Sequence, residues 1–251
     1  MRVVSWNLGF AYGFKDTHDR AWHYLAALDP DLAFLQEVHP PAWAEARWTI
    51  EKGLNPQWGS AIVAGPGVRL SAFEGHSAGI LGHFGSYLVT RLVALADGTS
   101  LVVASVHTPA RAAEPAALIG LDPGMIRRPS VDVPWLNDLA YFAYRDLTQG
   151  KRFLITGDWN TARLWDKVHG GTAGEEFFGR AASDGWVECH RRFHPEEGRT
   201  WFRNGNQPYQ EDHAFCDATT AERLRACDID AYPAETLRLS DHAPLVMEFE
   251  D

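Results

Sequence analysis

Four short apolar runs, spread over the length of the chain, each lead into an amide or a carboxylate, and this repeated ending limits the possible folds more than any other feature. Val3-Val4 lead into Ser5-Trp6-Asn7, and Leu32-Ala33-Phe34-Leu35 into Gln36-Glu37. Phe153-Leu154-Ile155 lead into Thr156-Gly157-Asp158-Trp159-Asn160, and near the C-terminus Leu239-Ser240 lead into Asp241-His242. If the runs are strands, their polar ends lie at the carboxyl edge of a sheet, where open α/β sheets keep their chemistry. In the third run Gly157 lets the backbone turn tightly, and Asp158 and Asn160 project beyond it.

The segments between these runs supply helices and hairpins. Residues 19–28 carry Trp22, Leu25, Ala26 and Leu28 near helical spacing, with Asp16-Thr17-His18 as a cap and Pro30 as a stop before a strand over 31–38. Strand, helix, strand is an α/β beginning. Pro41 opens a second short helix that ends before Gly53. From Ser60 the texture becomes antiparallel, with β-prone runs over 60–64, 69–73, 86–96 and 100–107 and an Asp97-Gly98 hairpin turn between the last two. Residues 110–131 read as a surface excursion with a short helix, and 133–148 as a helix with Leu136, Leu139, Ala140, Ala143 and Leu147 on one side. A Gly170-Gly171 turn precedes a helix over 173–182, and further strands fall at 186–190, 200–202, 209–216 and 243–249. No linker or repeat interrupts the 251 residues, so one domain of two packed sheets with helices outside is expected.

Hard cations such as Mg²⁺ take oxygen ligands, mostly carboxylates. Glu37, Asp241 and the side-chain oxygen of Asn7 are the candidates. His242 would exchange protons near neutrality and needs an orienting acceptor, for which Asp212 in Glu211-Asp212-His213 is the candidate. An edge-strand polar pair is the other reading of Asp212-His213. His107 closes the run over 101–106, either as a buried hydrogen-bonded histidine or as a donor to a phosphoryl oxygen. Asp158 would orient or deprotonate water, and Asn160 would donate to developing charge. Arg191, Arg192, Trp201 and Arg203, with Arg111 upstream, would meet phosphate or a base, or else form solvated loops.

Together these stretches resemble the endonuclease/exonuclease/phosphatase superfamily from Val3 to Phe249. Ser5-Trp6-Asn7 is similar to its opening motif, Leu35-Gln36-Glu37 to its metal-ligand motif, and Ser105-Val106-His107-Thr108 to its histidine-bearing strand end. Gly157-Asp158-Trp159-Asn160, Asp212-His213-Ala214-Phe215 and Ser240-Asp241-His242 resemble the remaining three, in the same order. The resemblance implies a four-layer α/β/β/α sandwich of two mostly antiparallel sheets, and hydrolysis of a phosphoester with Mg²⁺ or Mn²⁺. It implies that Asn7, Glu37 and Asp241 surround the metal. His242, held by Asp212, and Asp158 would manage the water, while His107 and Asn160 would contact the phosphoryl group. Two departures stand out: no arginine follows the strand at 60–63, and Glu211 replaces the usual apolar residue before Asp212. Strand alternation would turn Glu211 away from the site.

A nuclease or other phosphodiesterase acting by in-line attack of water is the first expectation. Net charge is −10, from 23 basic and 33 acidic residues, which disfavours sequence-blind grip on DNA. A short nucleic-acid footprint fits better, as does the alternative of a small nucleotide, sugar or inositol phosphate. A catalytically silent ligand-binding module is the expectation of another class. No apolar run approaches the roughly 20 residues that cross a bilayer. The first strand begins too early for a secretory leader. Cys189, Cys216 and Cys227 cannot all pair and form no Cys-x-x-Cys, so reduced thiols are expected. These features point to a cytoplasmic monomer with no membrane partner.

Overall fold

The computed structural model describes residues 1–10, 13–53, 59–73, 84–85, 87–95, 98–203 and 208–250. In chain order its elements begin with β1 (Arg2–Asn7), α1 (His18–Leu28), β2 (Leu32–Val38), α2 (Ala42–Arg47), β3 (Thr49–Lys52), β4 (Gly59–Ala64), β5 (Leu70–Ala72), β6 (Leu88–Ala94) and β7 (Ser100–His107). Next come α3 (Pro123–Ile126), α4 (Leu136–Thr148), β8 (Arg152–Asp158), α5 (Arg163–His169), α6 (Ala173–Ser183), β9 (Val187–Glu188) and β10 (Asp212–Cys216). The chain closes with α7 (Ala218–Glu222), β11 (Leu224–Ile229), α8 (Tyr232–Glu235) and β12 (Leu245–Phe249).

These strands form two mixed six-stranded sheets, in the orders β11-β12-β1-β2-β4-β3 and β5-β6-β7-β8-β10-β9. The chain starts in the first sheet, builds the second, and returns to the first with its last two strands. Helices flank both sheets, giving the expected four layers. Val3, Phe34, Ile62, Val103, Leu154 and Met247 pack between the sheets. Val4, Trp6, Trp22 and Leu35 pack under the helices of the first sheet. Val102, Ile155, Trp159, Phe177 and Trp186 pack under those of the second. Both faces of the central strands are therefore covered, which is why they read as continuous apolar runs rather than alternating ones.

Most pairings are antiparallel, but β1 and β2 are parallel, and so are β7 and β8. Each parallel pair needs a crossover, supplied by α1 in one case and by residues 108–151 in the other. Both pairs thus deliver two carboxyl ends side by side.

Several local expectations change. The helix after Pro41 stops at Arg47, because β-branched Thr49 and Ile50 open the edge strand β3 instead. The helix expected from 133 begins at Leu136, since Pro134 and an extended Trp135 precede it. Thr17 caps α1 without a side-chain bond to it, because its hydroxyl donates to the carbonyls of Phe14 and Leu239. Residues 200–202 form no strand, only a single bridge between Trp201 and His242. Asp97 of the expected hairpin turn lies outside the described residues. Trp22, Trp186 and the three cysteines are buried, and the cysteines are free. Among the described residues no helix is long and apolar enough to cross a membrane.

Candidate active site

The polar strand ends meet because the strands pair in register. Asn7 lies opposite Gln36, His107 opposite Asp158, and Asp158 opposite Asp212. Between the sheets, Gln36 Nε2 donates to Ser105 Oγ at 2.9 Å, and Ser105 Oγ donates to the Leu35 carbonyl at 2.9 Å. This buried link ties the two sheets at the level where the polar ends collect.

Asn7 spans the cluster. Its Nδ2 donates to Asp158 Oδ2 at 2.9 Å and to Glu37 Oε1 at 3.3 Å, while its Oδ1 accepts from the Gly9 amide at 3.0 Å. The other oxygen of Asp158 accepts from the backbone nitrogen of Asn160 at 3.0 Å and from its Nδ2 at 2.7 Å. His242 enters on a loop held from below. Ser240 Oγ donates to the Asn7 carbonyl at 2.7 Å and accepts from the His242 amide at 3.0 Å, and Trp6 Nε1 donates to the His242 carbonyl at 2.8 Å. The ring's Nδ1 bonds Asp212 Oδ2 at 2.8 Å, and its Nε2 stands 3.9 Å from Asp158 Oδ2. That second separation is too long for a hydrogen bond and leaves room for a bridging oxygen atom. Asp241 lies against Gly9, where an added Cβ would be 3.0 Å from Asp241 Oδ1.

Five carboxyl groups, those of Glu37, Asp158, Glu211, Asp212 and Asp241, thus share one neighbourhood. Burial pushes the Glu37 and Asp158 carboxyls up to about 7, against the pull of the His242 charge. Burial also raises Glu211, helped by the charge of Asp158. For His242 burial alone would lower the pKa, but the charge and hydrogen bond of Asp212, then Asp158 and Asp241, hold it well above the ordinary value. That pairing with Asp212 favours the charged imidazolium. His107 is pushed down to about 3 by burial and by His242, so it is neutral. Its Nε2 lies 3.7 Å from Glu37 Oε1 and 3.8 Å from Asp158 Oδ2, and its buried Nδ1 has no hydrogen-bond partner among the described residues.

The donor set fits a divalent cation. Glu37 Oε2 is buried with no hydrogen-bond partner among the described residues, and the residue holds a φ of 50°, costly for any side chain but glycine. The strain arises where β2 slips register against β4 between Leu35 and Val38. An oxygen left unpaired in so acidic a neighbourhood matches a hard cation. A second group of ligand atoms, from Asp158, Asp212 and His242, lies within 4.8 Å of one another. There His242 Nδ1 and Asp212 Oδ2 are already joined, while Asp212 Oδ1, like Glu37 Oε2, is buried with no hydrogen-bond partner among the described residues.

The weaker candidates separate. Trp201 bridges His242 through its backbone, and Arg203 Nη1 is 4.0 Å from Asp241 Oδ2, so both lie at this site. Arg111 is solvent-exposed and pairs with Glu114 at 3.5 Å. Arg191 and Arg192 line a separate groove of about 290 Å³ with Arg163, Phe178 and Trp186, under the helices of the second sheet. His213 faces that side too, bonding Glu188 at 3.1 Å, while Asp212 faces the site. Glu211 departs from the expectation of strand alternation. It precedes β10, and its amide and that of Asp212 both bond Thr200 Oγ1, at 2.9 and 3.1 Å, so the backbone there is not pleated. Sequence reasoning also missed the Ser240 and Ser105 hydroxyls as supports, although each stands within two residues of a flagged histidine.

The model of the Endonuclease/Exonuclease/phosphatase family matches residues 4–242. No curated protein matches the sequence significantly. Among solved structures, a 3′–5′ exonuclease from Neisseria meningitidis aligns with a TM-score of 0.72 at 18% identity, covering 100% of both chains. An AP endonuclease from Archaeoglobus fulgidus aligns at 0.67 and 15%, again over 100% of both. An AP endonuclease from Leishmania major aligns at 0.67 and 15%, over 100% of this chain and 87% of that one. Identities this low speak for the fold.

Proposed function

The chain belongs to the endonuclease/exonuclease/phosphatase family, and we propose that this member is a phosphodiesterase of the nuclease type that uses direct, in-line attack of water. Metal-dependent hydrolysis of phosphoester bonds is the activity of that family and of this chain. The observation that carries the finer reading is the 3.9 Å gap between His242 Nε2 and Asp158 Oδ2, with the unpaired oxygen of Glu37 in the same cluster.

Each side chain takes a role from its protonation and partners. Asp158, fixed by three donors and with a pKa near 7, takes the proton of the attacking water. His242, an imidazolium braced by Asp212, donates to a phosphoryl oxygen. Neutral His107 donates to the same group, and Asn160 positions Asp158. Glu37 and Asp241 would hold Mg²⁺ or Mn²⁺, which when bound would offset negative charge on the phosphoryl oxygens. Asn7, whose oxygen is engaged by Gly9, orients Glu37 and Asp158. The nearby hydroxyls of Ser105 and Ser240 donate to backbone carbonyls, which argues against a covalent intermediate on either. The free, buried cysteines support a reducing compartment such as the cytoplasm.

The net charge of −10 favours a second reading, a small phosphorylated metabolite as substrate. Purified protein assayed with bis(p-nitrophenyl) phosphate, p-nitrophenyl phosphate and single- and double-stranded oligonucleotides separates the two. Diester and oligonucleotide cleavage that stops with EDTA, returns with Mn²⁺ and weakens steeply with salt is expected. Cleavage of the monoester alone would favour the metabolite phosphatase. Mn²⁺ binding with no hydrolysis of any substrate would leave the silent binding module.

A further inference from the structure

A pocket of about 100 Å³ opens beside Asn160, walled by Ala110, Trp135, Ala162 and Trp165 and bounded by Glu211. Most polar groups on its wall are already committed. Arg128 bonds Asp138, the Ala173 carbonyl and Asn137, the amide nitrogen of Asn137 bonds the Trp159 carbonyl, and that of Asn160 bonds Asp158. Glu211 differs. Its backbone is pinned on both sides, its amide to Thr200 Oγ1 at 2.9 Å and its carbonyl to the Trp159 amide at 2.9 Å. Its carboxyl makes no hydrogen bond to any of the described residues. Glu211, one of the residues lining this mostly apolar pocket, therefore carries an unused acceptor on a fixed backbone, next to the residue that positions Asp158.

We propose that this pocket receives the group esterified to the scissile phosphate, and that Glu211 selects a single ring carrying a hydroxyl or amino donor. The inference rests on the phosphodiesterase reading above. Size sets the first limit: a cavity of roughly 150 Å³ accepts a benzene-sized molecule, so a space of about 100 Å³ with an open mouth takes one ring and no fused pair. Chemistry sets the second. Trp135 and Trp165 cover the apolar face of such a ring, and Trp165 is 45% exposed at the rim. A carboxyl accepts a hydrogen bond in either protonation state. A donor-free ring would leave that acceptor shut away from water without a partner, and such sites reject the deficient analogue strongly. A pentose meets both limits.

The test uses two matched pairs of p-nitrophenyl diesters with Mn²⁺: thymidine 5′-esters with and without the 3′-hydroxyl, and thymidine 3′-esters with and without the 5′-hydroxyl. Wild type is expected to prefer the hydroxyl-bearing member of one pair by about tenfold to a hundredfold in kcat/KM. In Glu211→Leu that ratio is expected to fall towards one. Should the leucine variant fail to fold, the nearly isosteric Glu211→Gln reads the same ratio, expected to drop by about threefold or more. Equal kcat/KM within both pairs for wild type, or a ratio that either folded variant leaves untouched, overturns the role of Glu211. If wild type turns over none of the four diesters, the phosphodiesterase reading falls and the inference falls with it.

Discussion

Asp158→Asn is expected to lower kcat by about 10²- to 10⁴-fold while the protein stays folded, the range of a lost general base. Asn7 Nδ2, the Asn160 amide and Asn160 Nδ2 fix both oxygens of Asp158, and Asp158 Oδ2 stands 3.9 Å from Nε2 of His242. An asparagine keeps one acceptor oxygen and removes a buried negative charge from a cluster with too many, so the net cost to folding is small. His242→Ala is expected to fall in the same range, and the double variant little further, because groups that act on one step lose their effect together. Steady-state kinetics on any accepted diester, alongside thermal melts, checks this. Turnover within tenfold of wild type in Asp158→Asn removes the assignment.

Gly157→Ala is expected to cost at least about 4 kcal/mol of stability, the scale reserved for severe clashes in a core. Gly157 lies at φ 150°, directly opposite Val106 on the neighbouring parallel strand. An added Cβ would stand 1.9 Å from the Val106 carbonyl oxygen and 2.9 Å from its carbonyl carbon and nitrogen. Those are backbone atoms in the middle of a sheet buried on both faces, so β7 and β8 must part. The melting temperature should drop by about 10 °C or more. Gly170, at φ 77° with nothing within 4 Å of an added Cβ, is the control, and alanine there should cost about 1–2 kcal/mol. A Gly157→Ala protein that melts no lower than Gly170→Ala would show that the strands are less tightly opposed than described.

The glycine also shows where sequence reasoning stops. Gly157 reads as a turn residue, yet it sits inside β8, and its real constraint is a strand from fifty residues upstream. The polar strand ends were legible because both faces of the central strands are buried, which leaves unbroken apolar runs pointing at Asn7, Glu37, His107 and Asp158. Their meeting was not legible from spacing, since it depends on two parallel pairings and the Gln36–Ser105 link between sheets. Short edge elements escaped notice for local reasons. In β11 a register shift between Leu224 and Ala226 breaks the period-two pattern. In α5 Trp165 and Val168 face outward, and the helix is fastened instead by Asp166, which accepts from the Gly174 and Glu175 amides. Glu211 was misplaced because alternation was applied one residue before the strand begins.

The most direct check is an anomalous difference map from crystals soaked in Mn²⁺, for the account depends on Glu37 and Asp241 meeting at one cation beside Asp158 and His242. The expected result is a strong peak in contact with Glu37 Oε2, beside Asp241 and clear of the bonded Asp212–His242 pair. A map with no density at Glu37, or with its peak bound only by Asp158, Asp212 and His242, would contradict the assignment.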